Sequence, residues 1–389
     1  MKTKLWIVTT VAESLDSLIE GQPRFLSKYF DVTIVSSPSK KLIATADREN
    51  VAWRAVRLTR EISPIQDLIS IWKMYGMLRK DRPDIIQSYT PKAGLITMIS
   101  ARLARVPLRV HGIVGMPLME ARGIRRKVMR IAEKLTYWNA TALTSNSFGL
   151  RDYIRSHLTK RAIIVIGRGS INGVDVNHYD PQLFNVNVRS KLGIPEQCAV
   201  FVYVGRLVPD KGIVELVDAF MELANYDSNI NLLLVGDEES ELTPLPQRTL
   251  ELIATSKRIR KLGWCADVRP YMAAANVFVL PSYREGLPNS VIEAGAMSLP
   301  SIVTDINGCN EVVQDGVNGI LVPVKDHVKL REAMASLQIN QDEAKAMGRI
   351  ARARVIDSFG QEQFWGRLAE FYFSLVEEQS HIELKNLEN

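Results

Sequence analysis

The chain has few cysteines and no long apolar run. Its 389 residues include three cysteines, Cys198, Cys265 and Cys309, which lie too far apart for a zinc motif or a disulfide framework. No apolar run approaches the ~20 residues that a membrane-spanning helix needs. The first residues, MKTKLWIVTTVAESL, predict a buried strand rather than a signal peptide, because Glu13 and Asp16 directly follow a short apolar stretch. These absences favour a protein of the reducing cytoplasm.

Three motifs that mark common function classes are also missing. Neither half of the chain begins with the glycine fingerprint G-x-G-x-x-G, which disfavours a nicotinamide-dependent oxidoreductase. No Asp-x-Asp pair occurs, so a metal ion bridging a diphosphate lacks its usual ligands, and we expect neither a metal site nor a cofactor. No nucleic-acid-binding module accompanies the basic residues, and we expect no nucleic acid partner.

The charge is divided unevenly along the chain. Residues 1–189 contain 30 Lys and Arg against 15 Asp and Glu, a net charge of +15, whereas residues 190–389 carry a net charge of −9. A strongly basic half needs an anionic partner or surface, and an anionic membrane leaflet is the candidate that remains.

A helix predicted over 124–135 is a candidate for contact with such a membrane, because an apolar stripe runs beside its basic residues. The stripe consists of Ile124, Val128, Ile131 and Leu135, and the basic residues are Arg126, Arg130 and Lys134. Either the helix lies at an anionic membrane interface, or it packs its stripe on the core and leaves its charges in solvent.

Short apolar runs alternate with longer amphipathic segments. The strands are predicted at 5–10, 31–37, 84–89, 108–113, 140–145 and 162–167, and then at 199–205, 231–236, 259–264, 277–282 and 300–305. This alternation is typical of parallel sheets built from βαβ units, and two such sets predict two doubly wound domains. We place the first domain at 1–187 and the second at 188–360. Because ligands of such sheets lie beyond the carboxyl ends of the strands, residues that directly follow strands are the candidate site residues.

The segment VGRLVPDKG follows the first predicted strand of the second half. Gly205 allows the backbone to approach a ligand, and Arg206 and Lys211 are cations suited to a diphosphate. The alternative is a surface loop with two solvated cations.

The segment PSYREGLPNSVIEAGA places two carboxylates at the start of a predicted helix. Pro288 is expected at the first helical position, where its missing N–H costs nothing. The free N–H groups of Leu287 and Asn289 are then expected to receive a phosphate. Glu285 is placed to accept hydrogen bonds from sugar hydroxyls, and Glu293 to hold the ribose. Ordinary acidic capping of the helix is the alternative.

The segment GRLVPDKG and the pair Glu285 and Glu293 together resemble the signature of the family 4 glycosyltransferases. LLLVGDEE, IRKLGWCADVRPYMAAANVFVLPS and EVVQDGVNGILVPVKD are also similar to that family. In the first half, IIQSYTPKAGLI and GIVGMPLMEARGIRRKVMRIAEKLTYWNATAL are similar to its bacterial polysaccharide and lipid-linked oligosaccharide members. The resemblance implies an α/β fold of the GT-B class, with two facing Rossmann-like domains and a deep cleft between them, and transfer with retention of anomeric configuration.

The resemblance also implies roles for the donor residues. Arg206 and Lys211 would bind the donor diphosphate, Glu293 the ribose and Glu285 the transferred sugar. His111, in the predicted strand LRVHGI, would stand at the strand end and contact the sugar or a phosphate, unless it is a packed or solvated histidine.

Acceptor contacts are less well marked, because the glycine-rich acceptor loop common in this family is nearly missing. Lys92, which follows a predicted strand, and Arg24, in the segment EGQPR, are the candidates for the acceptor. By analogy with GT-B folds, the final helix at 361–380 would return to the first domain.

We therefore expect a metal-independent hexosyltransferase. It would move a sugar from a nucleotide sugar, UDP-hexose or UDP-N-acetylhexosamine, to a polyprenyl-diphosphate-linked acceptor in surface polysaccharide or glycan biosynthesis. Its expected location is cytoplasmic and peripheral, at the inner face of the cell membrane. Two alternatives stay open: a sugar-nucleotide epimerase of the same fold, and a non-catalytic nucleotide-sugar-binding protein.

Overall fold

The computed structural model describes five stretches of the chain, residues 2–59, 63–119, 121–184, 187–239 and 243–388. They divide into two compact units. The first consists of Met1–Gly173 with Glu362–Asn389, and the second of Val174–Gln361. From the sequence of each unit, the first contains 31 Lys and Arg against 19 Asp and Glu, a net charge of +12, and the second carries a net charge of −6.

The first unit contains a parallel sheet of seven strands in the order β3-β2-β1-β4-β5-β6-β7. Its strands are β1 (Lys4–Val8), β2 (Asp31–Ser36), β3 (Ala52–Ala55), β4 (Ile85–Ser88), β5 (Leu108–Ile113), β6 (Ala142–Ser145) and β7 (Ile164–Val165). The central strands are buried along nearly their whole length, as is usual when helices cover both faces of a parallel sheet. Its helices are α1 (Ala12–Ile19), α2 (Gln22–Leu26), α3 (Lys40–Glu49), α4 (Pro64–Asp81), α5 (Pro91–Leu103), α6 (Gly123–Asn139) and α7 (Phe148–His157).

The second unit contains a parallel sheet of six strands in the order β10-β9-β8-β11-β12-β13. Its strands are β8 (Ala199–Val204), β9 (Ile230–Val235), β10 (Ile259–Gly263), β11 (Val277–Leu280), β12 (Ser301–Thr304) and β13 (Gly319–Val322). Its helices are α8 (Asn187–Lys191), α9 (Ile213–Tyr226), α10 (Gln247–Thr255), α11 (Arg269–Ala273), α12 (Asn289–Ala296), α13 (Cys309–Val312), α14 (His327–Ile339) and α15 (Gln341–Ser358). The prediction of two Rossmann-like sheets is confirmed.

The chain leaves the first unit earlier than the predicted boundary at 187–188. Val174 already belongs to the second unit, because its N–H donates to the Phe359 carbonyl at 2.9 Å and its own carbonyl accepts from the Gln361 N–H at 3.0 Å. Tyr179 then packs against the core of the second unit. Residues 174–187, which the prediction gave to the first domain, therefore belong to the second unit.

The last helix, α16 (Gln361–Glu388), belongs to the first unit. Phe364, Trp365 and Tyr372 lie in its core together with residues of α1, α2 and α3. Two buried hydrogen bonds fix the register of the helix. Tyr372 donates to Gln87 Oε1 at 3.1 Å, and Trp365 Nε1 donates to Asn172 Oδ1 at 2.7 Å. The other face of the same sheet is covered by α4, α5, α6 and α7.

Helix α6 has the reverse of the usual amphipathic arrangement. Its buried positions are polar for the most part, namely Glu133, Thr136, Tyr137 and Asn139. Its apolar stripe is exposed, with Ile124, Val128, Ile131 and Leu135 at 77, 39, 60 and 42%. The alternative in which this stripe packs on the core is therefore wrong.

Candidate active site

Two loops of the second unit meet at the point where its strand order reverses. From β8 the chain proceeds outward through β9 and β10, then returns and proceeds the other way through β11, β12 and β13. Ligands of open parallel sheets bind at such a switch point, beyond the carboxyl ends of the strands. The segments that follow β8 and β11 are the two in which the sequence placed the donor residues.

Backbone contact holds these two loops together. Gly212 has φ +73°, and a Cβ there would lie 2.0 Å from the carbonyl oxygen of Pro281, so only glycine fits. The Tyr283 N–H donates to the Asp210 carbonyl at 2.9 Å, and the Arg284 guanidinium pairs with the Asp210 carboxylate at 2.8 Å. The loop after β8 is thus fixed against the loop after β11.

Lys211 and Glu285 form an ion pair across the two loops. Lys211 Nζ lies 2.6 Å from Glu285 Oε1, and the side chains are 20 and 13% exposed. A third loop, which follows β12, reaches the same place: a Cβ on Gly308 would lie 2.2 Å from the Gly286 carbonyl oxygen. Burial raises the pKa of the neighbouring Cys309 thiol, and the Glu285 charge adds to this effect. Cys309 is consequently a neutral packing residue.

Arg206 lies closer to solvent than Lys211. Its side chain is 53% exposed and pairs with Glu239 at 2.8 Å, and this hydrogen-bonded carboxylate raises the pKa of the guanidinium. The buried Tyr203 hydroxyl donates to the Arg206 carbonyl at 2.7 Å, which fixes the backbone of Arg206. Gly205 has φ +154°, and its carbonyl oxygen lies 1.9 Å from where a Cβ on Gly236 would stand. The cation is therefore carried on closely packed backbone.

Helix α12 begins one residue later than the sequence predicts. Pro288 is its N-cap, with ψ 108°, and not the first helical residue. Its carbonyl accepts from the Val291 N–H at 3.1 Å, as an N-cap carbonyl does. Within the described residues, no protein group accepts from the N–H groups of Leu287 or Asn289. These free donors and the positive end of the helix make an anion-binding position.

Glu293 lies one turn into α12, where burial raises the pKa of its carboxyl to about 7. The Tyr179 hydroxyl forms a hydrogen bond with this carboxyl and partly opposes the rise. The Arg352 guanidinium holds the Tyr179 segment in place. It donates to the Tyr179 carbonyl at 2.8 Å and to the Ala296 carbonyl at the end of α12, and it pairs with Asp180 at 3.3 Å. Tyr179 and Arg352 were missed from the sequence.

Two further residues at this edge were also missed. Glu239 follows β9 and pairs with Arg206. Trp264 directly follows β10 and is 72% exposed, and its backbone N–H donates to Asp237 Oδ1 at 2.9 Å. An exposed indole at a carboxyl edge is suited to stacking on a flat ring. The signal for both residues was their position in the loop after a strand, with Trp264 directly behind β10 and Glu239 four residues beyond β9.

His111 is placed differently from the expectation. Strand β5 continues to Ile113, so His111 lies inside the strand rather than at its end. It is 2% exposed, its Nδ1 is 2.9 Å from Ser88 Oγ, and its ring lies against Gly94. Burial lowers its pKa to about 4, so the ring is neutral. The first unit thus encloses nearly the whole imidazole, and contact of His111 with a sugar or phosphate stays a prediction.

The two acceptor candidates lie in the first unit. Lys92 is in the first turn of α5, and its Nζ lies 2.6 Å from Asp67 Oδ2 of α4, with only 12% of the lysine side chain exposed. Arg24 is an exposed residue of the short helix α2, and its backbone N–H donates to Glu49 Oε2 at 3.3 Å.

The described residues contain neither a metal-binding cluster nor a membrane-spanning helix. No group of three or more His, Cys, Asp and Glu side chains in them is arranged to hold a metal ion. Every helix in the same stretches is too short or too polar to span a bilayer.

Comparison with known families covers most of both units. Residues 198–340 match the family model described as glycosyl transferases group 1, and residues 13–169 match the glycosyl transferase 4-like domain. The capsular polysaccharide biosynthesis glycosyltransferase CapM of Staphylococcus aureus is 31% identical over 379 residues, which cover 96% of this chain and 98% of that protein. The UDP-Gal:α-D-GlcNAc-diphosphoundecaprenol α-1,3-galactosyltransferase of Escherichia coli is 29% identical, with 90% of each chain covered.

Solved structures share the fold. HepE of Anabaena, determined in complex with UDP and glucose, aligns with a TM-score of 0.78 at 20% identity and covers 96% of this chain and 100% of its own. WaaG, a glycosyltransferase involved in lipopolysaccharide biosynthesis, aligns with a TM-score of 0.72 at 14% identity and covers 94% of this chain and 99% of its own. At these identities the likeness shows the fold alone.

Proposed function

Since this chain belongs to the group 1 glycosyltransferases with a family 4-like first domain, we propose that it moves a sugar from a nucleotide sugar to a polyprenyl-diphosphate-linked acceptor, with retention of configuration. The product would enter surface polysaccharide or glycan biosynthesis. One observation carries the donor half of this proposal: Lys211, Glu285 and the free N–H groups that begin α12 converge at the switch point of the second sheet.

The donor diphosphate fits that place for electrostatic reasons. Departure of a nucleoside diphosphate builds negative charge on its phosphate oxygens. Lys211 is fixed against Glu285 just before α12, Arg206 belongs to the same loop as Lys211, and the positive end of the helix adds to their field. Because these groups stand in position before the reaction, they stabilise the departing anion without reorganisation. The proposed transferase therefore needs no metal ion.

The two glutamates would hold the sugar rings of the donor. Glu285 keeps one carboxylate oxygen on Lys211, which leaves the other to accept from hydroxyls of the transferred sugar. Glu293 would accept from the ribose hydroxyls, with Tyr179 and Arg352 fixing its position. Trp264, exposed directly after β10, would stack on the base.

Retention is proposed to occur on one face of the sugar. The acceptor oxygen bonds to the anomeric carbon as the bond to the phosphate oxygen breaks, and the acceptor's proton passes to that departing oxygen. A second carboxylate acting as nucleophile, as in retaining glycosidases, is then not required. The protein's contribution is to orient both substrates and to stabilise the leaving group.

The names of relatives support the acceptor and the donor. The Escherichia coli relative is named for transfer from UDP-Gal to a GlcNAc-diphosphoundecaprenol, and a Campylobacter jejuni relative, 24% identical, for transfer to a diphospho-undecaprenol-linked sugar. We propose UDP-hexose or UDP-N-acetylhexosamine as donor, with Lys92 and Arg24 as acceptor contacts. Because a polyprenyl chain resides in the bilayer, the proposed location is peripheral, at the inner face of the membrane, where the +12 first unit meets anionic lipid.

The experiment is a donor screen followed by transfer. Thermal shift with UDP-, GDP- and ADP-sugars identifies the donor, and that donor is then incubated with a short-chain polyprenyl diphosphate carrying one sugar. We expect a disaccharide product whose new linkage keeps the donor's anomeric configuration by NMR. An inverted linkage would overturn the retaining mechanism. Epimerised or hydrolysed donor without transfer would replace the transferase with an epimerase, and binding without turnover would leave a nucleotide-sugar-binding protein.

A further inference from the structure

Helix α4 carries a second exposed apolar stripe, on the same side of the first sheet as α6. The stripe consists of Ile65, Leu68, Ile69 and Trp72, which are 79, 57, 43 and 60% exposed. Their spacing of three and four residues puts them on one face of the helix. The opposite face packs on the core through Ser70, Met74 and Leu78. Helix α4 thus has more apolar residues than its contact with the core buries.

Helices α4 and α6 flank α5, and both pack against it. Because α5 is largely buried between them, the outer faces of α4 and α6 belong to one helical layer of the first unit. In addition to the stripe of α6 described above, Trp138 at the end of that helix is 62% exposed. Two helices of the layer therefore expose large apolar side chains to solvent. Together these side chains form a larger apolar surface than singly scattered exposed residues do.

The apolar residues at the beginnings of both helices lie towards one edge of the sheet. In βαβ units a helix runs antiparallel to the strands it connects, so its first turns stand at the carboxyl ends of those strands. The stripe Ile65–Trp72 occupies the first turns of α4, and Ile124 and Val128 occupy those of α6. The exposed apolar surface therefore borders the edge at which ligands of such a sheet bind.

Among the described residues of α4, α5 and α6, together with Arg122 before α6, the exposed charges are all positive. These exposed cations are Lys73, Arg79, Lys80, Arg102, Arg122, Arg125, Arg126, Lys127, Arg130 and Lys134. The acidic residues of the two helices are engaged or buried: Asp67 pairs with Lys92, Asp81 pairs with Arg54, and Glu133 is 7% exposed. The Arg102 guanidinium stacks on the Trp138 ring at 3.7 Å, which leaves its edge for an anion. Exposed indoles beside arginines are suited to the headgroup region of a bilayer.

We propose that the outer faces of α4 and α6 form a docking surface for an anionic lipid bilayer. The α4 stripe enters the boundary between headgroups and acyl chains, and the cations contact lipid phosphates. The inference rests on the proposed function, because docking at the membrane would bring the enzyme to a polyprenyl-linked acceptor. It adds the apolar stripe of α4 to the attachment expected from α6, which has both basic residues and an exposed apolar stripe. Binding should therefore retain a salt-resistant component.

Vesicle co-sedimentation tests the surface directly. Vesicles of phosphatidylglycerol and phosphatidylcholine are compared with phosphatidylcholine alone, at low and high salt. The α4 variant carries Leu68→Ser, Ile69→Ser and Trp72→Ser, and the α6 variant carries Arg126→Ser, Arg130→Ser and Lys134→Ser. The control variant carries Tyr226→Ser and Ile339→Ser, whose side chains are 85 and 76% exposed in the second unit.

We expect wild type and control to bind anionic vesicles equally and to bind neutral ones at least tenfold less. The α4 variant should lose at least tenfold in partitioning at both salt concentrations, and the α6 variant mainly at low salt. Unchanged binding of the α4 variant would overturn the proposal. Concentration-dependent dimers in wild type that the α4 variant abolishes, without vesicle binding, would assign the surface to a second copy of the chain instead.

Two further measurements keep the test decisive. If the α4 variant melts early, Leu68→Ser alone replaces it, since that side chain is 57% exposed. Transfer to a water-soluble, short-chain acceptor separates this inference from the proposed function. A variant that transfers normally in solution and fails on vesicle-borne acceptor supports the docking surface. Absence of transfer in wild type with every acceptor would count against the proposed function and would leave the vesicle result standing.

Discussion

Two lysine–carboxylate pairs, one in each unit, have nearly the same geometry in different surroundings. Lys92 meets Asp67 at 2.6 Å and Lys211 meets Glu285 at 2.6 Å, with all four side chains at 20% exposure or less. Both lysines follow a strand. Around Lys211, Gly212 and two further loops bring backbone into contact and leave helix N–H groups free, whereas Lys92 joins two helices next to an exposed apolar stripe. The two ion pairs alone do not distinguish the lysines; the surrounding backbone does, and on that ground Lys211 is the one proposed to bind the donor diphosphate.

The strongest test of this comparison removes one lysine at a time. We expect Lys211→Ala to lower kcat/KM for transfer by about a hundredfold, roughly 3 kcal/mol, because the departing diphosphate loses a fixed cation. Arg206→Ala should act in the same direction. Lys92→Ala should raise the acceptor KM by less than tenfold and leave the affinity for the free nucleotide diphosphate unchanged. Steady-state kinetics with both substrates varied, and calorimetry with the nucleotide, measure this. If Lys211→Ala transferred the sugar at the wild-type rate, Lys211 would not be the lysine that stabilises the departing diphosphate.

The second test uses the raised pKa of Glu293. A carboxyl whose folded pKa is about 7, against an ordinary value of 4.5, contributes stability that is fully present below pH 4.5 and is lost as pH rises through 7. Glu293→Gln does not titrate, so its stability relative to wild type should increase by up to about 3 kcal/mol between pH 4.5 and 8.5. Urea midpoints of both proteins at the two pH values report the difference. A constant difference would show that folding does not raise the pKa of Glu293 above its ordinary value of 4.5.

A third test compares two glycines. Gly212→Ala should destabilise the second unit by about 2 kcal/mol and reduce donor binding, because the positive φ and the Pro281 carbonyl exclude a Cβ. Gly115→Ala in the first unit should be neutral, since its Cβ would meet no described atom within 4 Å. Thermal midpoints with and without nucleotide separate the two effects. Equal midpoints for both variants would show that the loop after β8 moves aside at little cost.

The smallest effect is expected from chelation. Because fixed cations and a helix start are proposed to stabilise the leaving diphosphate, EDTA should leave the rate of transfer within about twofold. The measurement is the initial rate before and after chelation, and after readdition of magnesium or manganese. Complete loss that either ion restores would move the charge stabilisation from the protein to a metal.

Much of this fold was readable because parallel strands are buried on both faces. The eleven predicted strands all occur, and the two that the prediction missed, β3 and β13, are edge strands at the limits of their sheets. Strand β3, with the sequence AWRA, is mostly exposed, so it lacks the apolar run that marks a central strand. The family motifs could be recognised in the sequence because they follow buried strands, and comparison with known families confirmed the resemblance.

The errors concern residues whose roles depend on distant parts of the chain. His111 was expected at the site end of the predicted strand 108–113, but it lies two residues before the end of β5, and its ring is buried beside Ser88 and Gly94. Tyr179 and Arg352 support Glu293 from positions far away in sequence, and no local pattern indicates such a contact. The exposed stripe of α6 was undecided for a related reason. Periodicity finds an apolar face, and only the tertiary neighbours determine whether the core or the solvent receives it.

The position of α16 has a consequence for the order in which the protein matures. Residues 1–173 are synthesised first. The core of the first unit that includes α1, α2 and α3 nevertheless lacks Phe364, Trp365 and Tyr372 until the last helix leaves the ribosome. The second unit is continuous in the chain and is complete by Gln361, before the first unit can close. Nascent chains ending near residue 360 should therefore hold a protease-resistant second unit beside a protease-sensitive first one. The unit translated first is the unit finished last.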